Sequence, residues 1–431
     1  MANLLASKGV RTKQSYSRRD DMHYVIVGNS IASVGCIESI RKIDQTGTIS
    51  VIGDEPHPCY SRPLISYLLE NKTTEEKMTY RNDAFYEQNN VKLMLGKRVQ
   101  AINTETKQLS IDDGSLVDYD KLLIATGSCP FIPPMKNLES VKNRFTFMTL
   151  DDAKNLEKVL TKESRVLIIG AGLIGLKCAE GIRDRVKTIT VVDLASRVLV
   201  SILDEAGSSL VEKKLISEGI TCILGDSVKE FVNSDALLTS GRVVGFDVLV
   251  LAVGVRPNVS LVKEAGGEVN RAILIDETCQ TSLADVYAAG DCCESIDCIT
   301  NERKVLAILP NAYMQGETAG RNMAGEDAFF DKAMAMNAIG FFGLHVITAG
   351  IYQGSDKLFT TESGYKRLFV QDGKLVGYIL IGDTINRAGI YTSLVRNKTD
   401  LATIDFDLIS EEPLLMAFAK KERAHKLGDA Q

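Results

Sequence analysis

Apolar and polar positions alternate between two rhythms along the chain, and the same sequence of rhythms occurs twice. Tyr24-Val25-Ile26-Val27 is a short β-rich run, Gly28-Asn29-Ser30 reads as a turn, and Ile31 to Ile43 carries a helical period. A second strand is expected over 48–52. The pattern returns about 140 residues later: Arg165-Val166-Leu167-Ile168-Ile169, a turn at Gly170-Ala171-Gly172, a helix to Arg185 and a strand over 188–192. Leu122-Leu123-Ile124-Ala125-Thr126-Gly127 and Val248-Leu249-Val250-Leu251-Ala252-Val253-Gly254 both read as buried strands that end at glycine. Beyond about residue 335 the pattern changes to aromatic, glycine-rich strands (339–352, 365–370, 375–381) and a helix over 386–397.

These units predict an α/β chain: two Rossmann-like dinucleotide-binding domains followed by a C-terminal α+β domain. Length agrees, since 431 residues at about 150 per domain give about three. The expected divisions are a leader or disordered arm over 1–21, a discontinuous first domain over 22–145 and 262–335, a second over 146–261, and a third over 336–431. No apolar run approaches the roughly 18 residues of a membrane span. Fifty Lys plus Arg stand against 56 Asp plus Glu, a net charge of -6, which offers no basic field to a nucleic acid. Nine cysteines, odd in number and scattered, suit a reducing compartment, and the cytoplasm is expected.

The candidate chemistry lies at the two turns. Gly170-Ala171-Gly172-Leu173-Ile174-Gly175 fits GxGxxG between strand and helix. Gly170 makes the tight turn, Gly172 admits a pyrophosphate, and Gly175 lets helix and strand approach. The diphosphate then meets a helix N-terminus with its free N–H groups. Asp193 ends the next strand where an acid would accept both ribose hydroxyls and repel a 2′-phosphate, which favours NADH. In the first unit, Gly28-Asn29-Ser30-Ile31-Ala32-Ser33 keeps the leading glycine and has serine at the other two glycine positions. Ser30 is small and adds a hydroxyl for a phosphate oxygen. Asp54 and Glu55 follow the second strand, where a ribose-binding acid is expected, with a solvated turn as the alternative.

Assembled, these residues resemble the pyridine nucleotide-disulfide oxidoreductases, flavoproteins with two dinucleotide sites, and the resemblance spans 22–431. It rests on Gly28-Asn29-Ser30, Ala125-Thr126-Gly127, Gly170 to Gly175, and Tyr287-Ala288-Ala289-Gly290-Asp291. Gly53-Asp54-Glu55-Pro56 with Tyr60-Ser61-Arg62-Pro63-Leu64-Ile65-Ser66 is similar to the branch of rubredoxin reductases, nitrite reductase large subunits and apoptosis-inducing factor. The resemblance implies FAD and NADH as cofactors. It implies Asp291, after Gly290, as the ligand of the FAD ribityl chain, Asp54 and Glu55 at the adenosine ribose, Arg62 at the pyrophosphate and Val99 against adenine. Leu309-Pro310 would precede a helix 313–323 aimed at the flavin, and Phe341, with Phe342, would lie beside the isoalloxazine.

Two positions depart from the family. A lysine and a glutamate that pair near the nicotinamide in many relatives are Tyr67 and Lys177 here, so that ion pair is not expected. Lys177 is left for the nicotinamide, a cofactor phosphate or solvent. The paired cysteines of the disulfide-using members, Cys-x4-Cys early in the FAD domain or Cys-x2-Cys in the nicotinamide domain, have no counterpart, and Cys59 lies in a loop. Cys292-Cys293 with Cys298 lacks a fourth iron–sulfur ligand; no metal and no acid–base catalyst is expected. The function implied is an NADH:acceptor oxidoreductase that passes electrons through FAD to rubredoxin, a ferredoxin-like protein or an iron–sulfur subunit. A redox-controlled interaction module and an NADH oxidase using dioxygen are the alternatives. A homodimer is left open.

Overall fold

The computed structural model describes residues 22–415 and 417, so the expected arm over 1–21 lies outside the described residues. Two five-stranded sheets, all parallel, form the centre. The first runs Val286–Ala288, Lys121–Ile124, His23–Val27, Thr48–Gly53, Val91–Leu95. The second runs Ile220–Leu224, Thr188–Asp193, Arg165–Ile169, Val248–Leu251, Arg144–Phe145. In both, the strand before the glycine turn is central and the chain winds outward from it, the order that puts a ligand crevice at the strands' carboxyl ends. Val25, Ile26, Leu167 and Ile168 are fully buried, as strands covered on both faces must be.

Why the chain needs glycine at the leading position of each turn is geometric. Gly28 has φ +112° and Gly170 φ +117°. A Cβ at Gly28 would lie 2.1 Å from the Ala125 carbonyl oxygen, and one at Gly170 2.2 Å from that of Ala252. Each turn is therefore pressed against the glycine-ended strand beside it. Ser33, at the third glycine position of the first turn, is tolerated because its hydroxyl donates to the Gly28 carbonyl at 2.6 Å.

Before Lys121–Ile124 in the first unit and Val248–Leu251 in the second, the chain forms a three-stranded antiparallel meander, Val99–Asn103, Gln108–Ile111, Leu116–Asp118 and Val228–Val232, Asp235–Leu238, Val243–Gly245 respectively. The two units are tied by an antiparallel ribbon, Ser128–Pro130 with Val255–Pro257, directly after Gly127 and Gly254. The helix Ile31–Ile43 crosses the helix Leu309–Met323 at backbone contact: a Cβ on Gly316 would lie 1.9 Å from the Ala32 oxygen and one on Gly320 2.5 Å from that of Cys36.

The third sheet is antiparallel, in the order Met336–Phe341, Leu344–Gly350, Lys374–Gly382, Gly364–Gln371, Ser355–Thr360, backed by the helix Ala388–Arg396. Here the expected run 339–352 is corrected. It is two strands, broken by a two-residue turn in which Phe342 and Gly343 both take positive φ, 50° and 83°, the geometry that matches strand twist in a tight hairpin. No described helix is long and apolar enough to cross a membrane.

Candidate functional site

A cavity of about 510 Å³ opens along the carboxyl ends of the first sheet. Its lining includes Asp54, Lys97, Arg98 and Val99, Arg62, Thr126 and Thr149, and Asp291, Leu309 and Ala312. Of the residues expected at the flavin, the structure brings together Gly28, Ser30, Asp54, Glu55, Arg62, Val99, Ala125, Thr126, Gly127, Gly290, Asp291 and Leu309 around this one space. Pro310 and Phe341 are not in its lining. Pro310 sits in the first turn of the helix Leu309–Met323, which starts four residues earlier than expected because proline at that position lacks only an N–H with no intrahelical partner. Phe341 is fully buried in the cluster that joins the second sheet to the third, so it packs between domains.

The chemistry of the wall suits a dinucleotide with a diphosphate. Neither Ser30, which caps the helix Ile31–Ile43, nor Ile308, which precedes Leu309–Met323, supplies a side-chain hydrogen bond to its helix's first N–H groups. Two helix N-termini are thus available to negative charge or electron-rich ligand atoms. The amide nitrogen of Asn29 is buried without a hydrogen-bond partner among the described residues, while its oxygen accepts from the Tyr86 hydroxyl at 2.9 Å. Among the described residues Asp291 accepts a single hydrogen bond, from Ser128 at 3.2 Å, and desolvation pushes its carboxyl pKa up. Both groups are what a polyhydroxylated, phosphate-bearing ligand would satisfy. On these observations the residues present fit FAD.

Arg62 and Glu55 form an ion pair, and the Tyr60 hydroxyl donates to Glu55 at 2.6 Å while accepting from the Leu150 backbone at 2.9 Å. Asp54 is more open, 3.3 Å from Arg98. Sequence reasoning missed Tyr60, His57, Ser128 and Asn258, although Tyr60 and His57 flank residues it had singled out. Asn258 donates to the Thr126 carbonyl at 2.8 Å and Thr126 returns a bond at 3.1 Å, a contact between segments 132 residues apart that no local pattern reveals.

The second site stands apart from this cavity. Gly172 precedes the helix Leu173–Ile182 with open space where its Cβ would be, and a Cβ on Gly175 would lie 2.0 Å from the Gly170 oxygen. Asp193 accepts from the Ala171 N–H at 2.6 Å and the Ala195 N–H at 2.7 Å, which fixes its carboxylate beside the turn. The Nε of Arg197 is buried without a partner among the described residues. Lys177 is not on a solvated face: its side chain is 12% exposed, paired with Glu180, and its ammonium sits 4.5 Å from the centre of the Tyr67 ring. Positions 67 and 177 meet after all, through ring and ammonium.

Residues 22–316 match the model of the pyridine nucleotide-disulphide oxidoreductases, and 336–399 that of the rubredoxin NAD+ reductase C-terminal domain. The chain belongs to the pyridine nucleotide-disulphide oxidoreductases. This family's enzymes are FAD- and NAD(P)H-dependent, and its fold is the one described. The chain is 30% identical to the NADH-dependent phenylglyoxylate dehydrogenase subunit epsilon of Aromatoleum evansii, covering 88% of this chain and 93% of the relative. It is 31% identical to the NADH oxidase of Methanocaldococcus jannaschii, over 84% and 88%. It spans about half, 51%, of the assimilatory nitrate reductase electron transfer subunit of Bacillus subtilis. Among solved structures, a covalent putidaredoxin reductase–putidaredoxin complex superposes with a TM-score of 0.83 at 23% identity, over 95% and 99% of the two chains, which speaks for the fold.

Proposed function

We propose that this chain is an NADH:acceptor oxidoreductase that delivers electrons, through FAD, to a small iron–sulfur or rubredoxin-like protein or to an iron–sulfur subunit of a larger complex. The observation that carries the reading is the pairing, in one chain, of the Asp54-to-Leu309 cavity with a second glycine turn that ends at Asp193. The bound flavin supplies the conversion between two-electron and one-electron transfer. This chain's residues do the rest. Arg62 and the helix start at Ser30 face the diphosphate, Asp54 and Glu55 the adenosine ribose, and Asp291 the ribityl hydroxyls. Residues 22–145 with 262–335 hold FAD, and 146–261 hold NADH.

Electrons leave from the flavin itself in this reading. Cys59 is 1% exposed and burial pushes its pKa up to about 12, which leaves almost no thiolate at neutral pH. All nine cysteines, each among the described residues, are free thiols, which supports work in the cytoplasm. Names among the relatives support the partner class: a rubredoxin-NAD(+) reductase of Alcanivorax borkumensis and the putidaredoxin reductase fold. The test is direct. The purified protein should be yellow with one FAD per chain, and NADH should drive reduction of rubredoxin or a [2Fe–2S] ferredoxin faster than it drives oxygen uptake. Faster oxygen uptake would favour the NADH oxidase reading that the Methanocaldococcus relative suggests; a colourless protein that FAD does not bind would refute both.

A further inference from the structure

Lys177 and Glu180 lie on one face of the helix Leu173–Ile182, three residues apart, and their side chains are 12% and 7% exposed. Each reaches across to another part of the molecule. Lys177 pairs with Glu180, donates to the Gly340 carbonyl at 3.3 Å and sits 4.5 Å from the centre of the Tyr67 ring. Glu180 accepts from the Phe342 N–H at 2.6 Å. Tyr67 belongs to the short helix Ile65–Leu69, which follows directly on the turn containing Arg62. Gly340 and Phe342 belong to the hairpin of the third sheet. The two helices touch at backbone distance, since a Cβ on Gly181 would lie 2.9 Å from the Ser66 oxygen.

We propose that Lys177 and Glu180 form a buried clasp joining the nicotinamide-side helix to the flavin-side helix and the C-terminal hairpin, and so act as positioning residues for hydride transfer. The proposal rests on the function proposed above. The helix they occupy begins at the glycine turn that would hold the NADH diphosphate; the helix they grip begins beside Arg62. Shifting one against the other changes the separation of the two dinucleotides, and hydride transfer falls steeply with misplacement of about 1 Å. Two features mark the clasp as more than packing. An isolated charge in this position would be costly, so each partner requires the other. The carboxylate also holds the N–H of Phe342, whose φ of 50° is a strained value for a bulky residue that its surroundings must enforce. The ammonium is engaged by a carboxylate, a carbonyl and a ring face, contacts that suit a positioning role.

The experiment compares the FAD-loaded parent with Glu180→Leu, Glu180→Gln and the double variant Lys177→Met with Glu180→Met. Anaerobic stopped-flow gives the flavin reduction rate at saturating NADH and the NADH Kd separately; hydrogen exchange reports the amides of residues 338–345. Glu180→Leu should slow reduction at saturation at least 10-fold, change the NADH Kd less than 3-fold and speed exchange at the hairpin. Glu180→Gln, which keeps an acceptor for Phe342, should recover part of both. The double variant removes both charges together, so it folds even if Glu180→Leu does not, and it should still reduce slowly. Reduction within 2-fold of the parent in the double variant and in either single variant that folds overturns the clasp. A parent that binds FAD yet is not reduced by NADH overturns the functional reading as well, and the two failures are told apart by that control.

Discussion

Replacing Asp291 with asparagine should move the stability of the flavin-free protein and its affinity for FAD in opposite directions. The carboxyl is half-buried at the cavity wall with one hydrogen bond among the described residues, from Ser128, and loss of solvent raises its pKa against smaller opposing pulls from that hydroxyl and from Arg62. A carboxyl that holds its proton more tightly in the folded than in the unfolded chain supports the fold fully below its ordinary pKa. That support is lost as pH rises through the raised value. Asp291→Asn keeps the shape and drops the charge, so the flavin-free variant should melt higher than the parent at pH 8, with the gap closing on acidification towards pH 4. Binding runs the other way. A hydrogen bond from a ribityl hydroxyl to a carboxylate contributes about 1.5–3 kcal/mol, so the variant should bind FAD about 10- to 150-fold more weakly. Flavin fluorescence quenching on titration of the stripped protein gives the affinity, and thermal melts at the two pH values give the stability. An FAD Kd within about 3-fold of the parent, with no gain in melting temperature at pH 8, would refute the role of Asp291.

Gly28→Ala should yield no FAD-binding protein, because the new Cβ would lie 2.1 Å from the Ala125 carbonyl on a backbone at φ +112°; a yellow, soluble variant would contradict the turn geometry. The ratio of kcat/KM for NADH over NADPH should exceed 10, since Asp193 is pinned at the second turn by two backbone N–H groups. Asp193→Ser should reduce that ratio by letting Arg197, whose Nε has no partner among the described residues, meet a 2′-phosphate. Titration with dithionite should take up two electrons per FAD, and Cys59→Ser should keep dye reduction by NADH within a few-fold of the parent; a 100-fold loss, about 2.7 kcal/mol of barrier, would make Cys59 a redox thiol.

The parts of the fold that were legible in the sequence are those where one local requirement fixes the residues. Only glycine suits Gly170 and Gly28, and only β-rich apolar runs suit strands covered on both faces, so both glycine units could be read directly. The strand Ser355–Thr360 went unread because it is an edge strand, mostly exposed, in which the half-buried positions are Lys357 and Phe359 while Leu358 is exposed, so its apolar residues do not follow its faces. The hairpin at Phe342 was hidden because a phenylalanine carries none of the turn preference of asparagine or aspartate. At the site, the residues near Gly28 and Asp291 belong to recognisable runs, whereas Asn258 depends on a partner 132 residues away. The Lys177–Glu180 spacing was visible as a helical pair, but that spacing occurs equally on solvated faces. Only burial distinguishes it.

The backbone-tight crossing of Ile31–Ile43 with Leu309–Met323 has a consequence for how the protein is made. Both helices present their first turns to the same cavity, yet Ala32 and Gly316 are about 280 residues apart in the chain, a separation whose closure costs about 5 kcal/mol of entropy. The segment up to Ile124 can lay down four of the first sheet's five strands as it leaves the ribosome. Its fifth strand, Asp291 and the second helix arrive only after the whole of 146–261 has been synthesised. Nascent chains stopped before residue 290 should therefore bind no flavin, and cofactor loading waits until the helix Leu309–Met323 has emerged, timed by the last crossing to form.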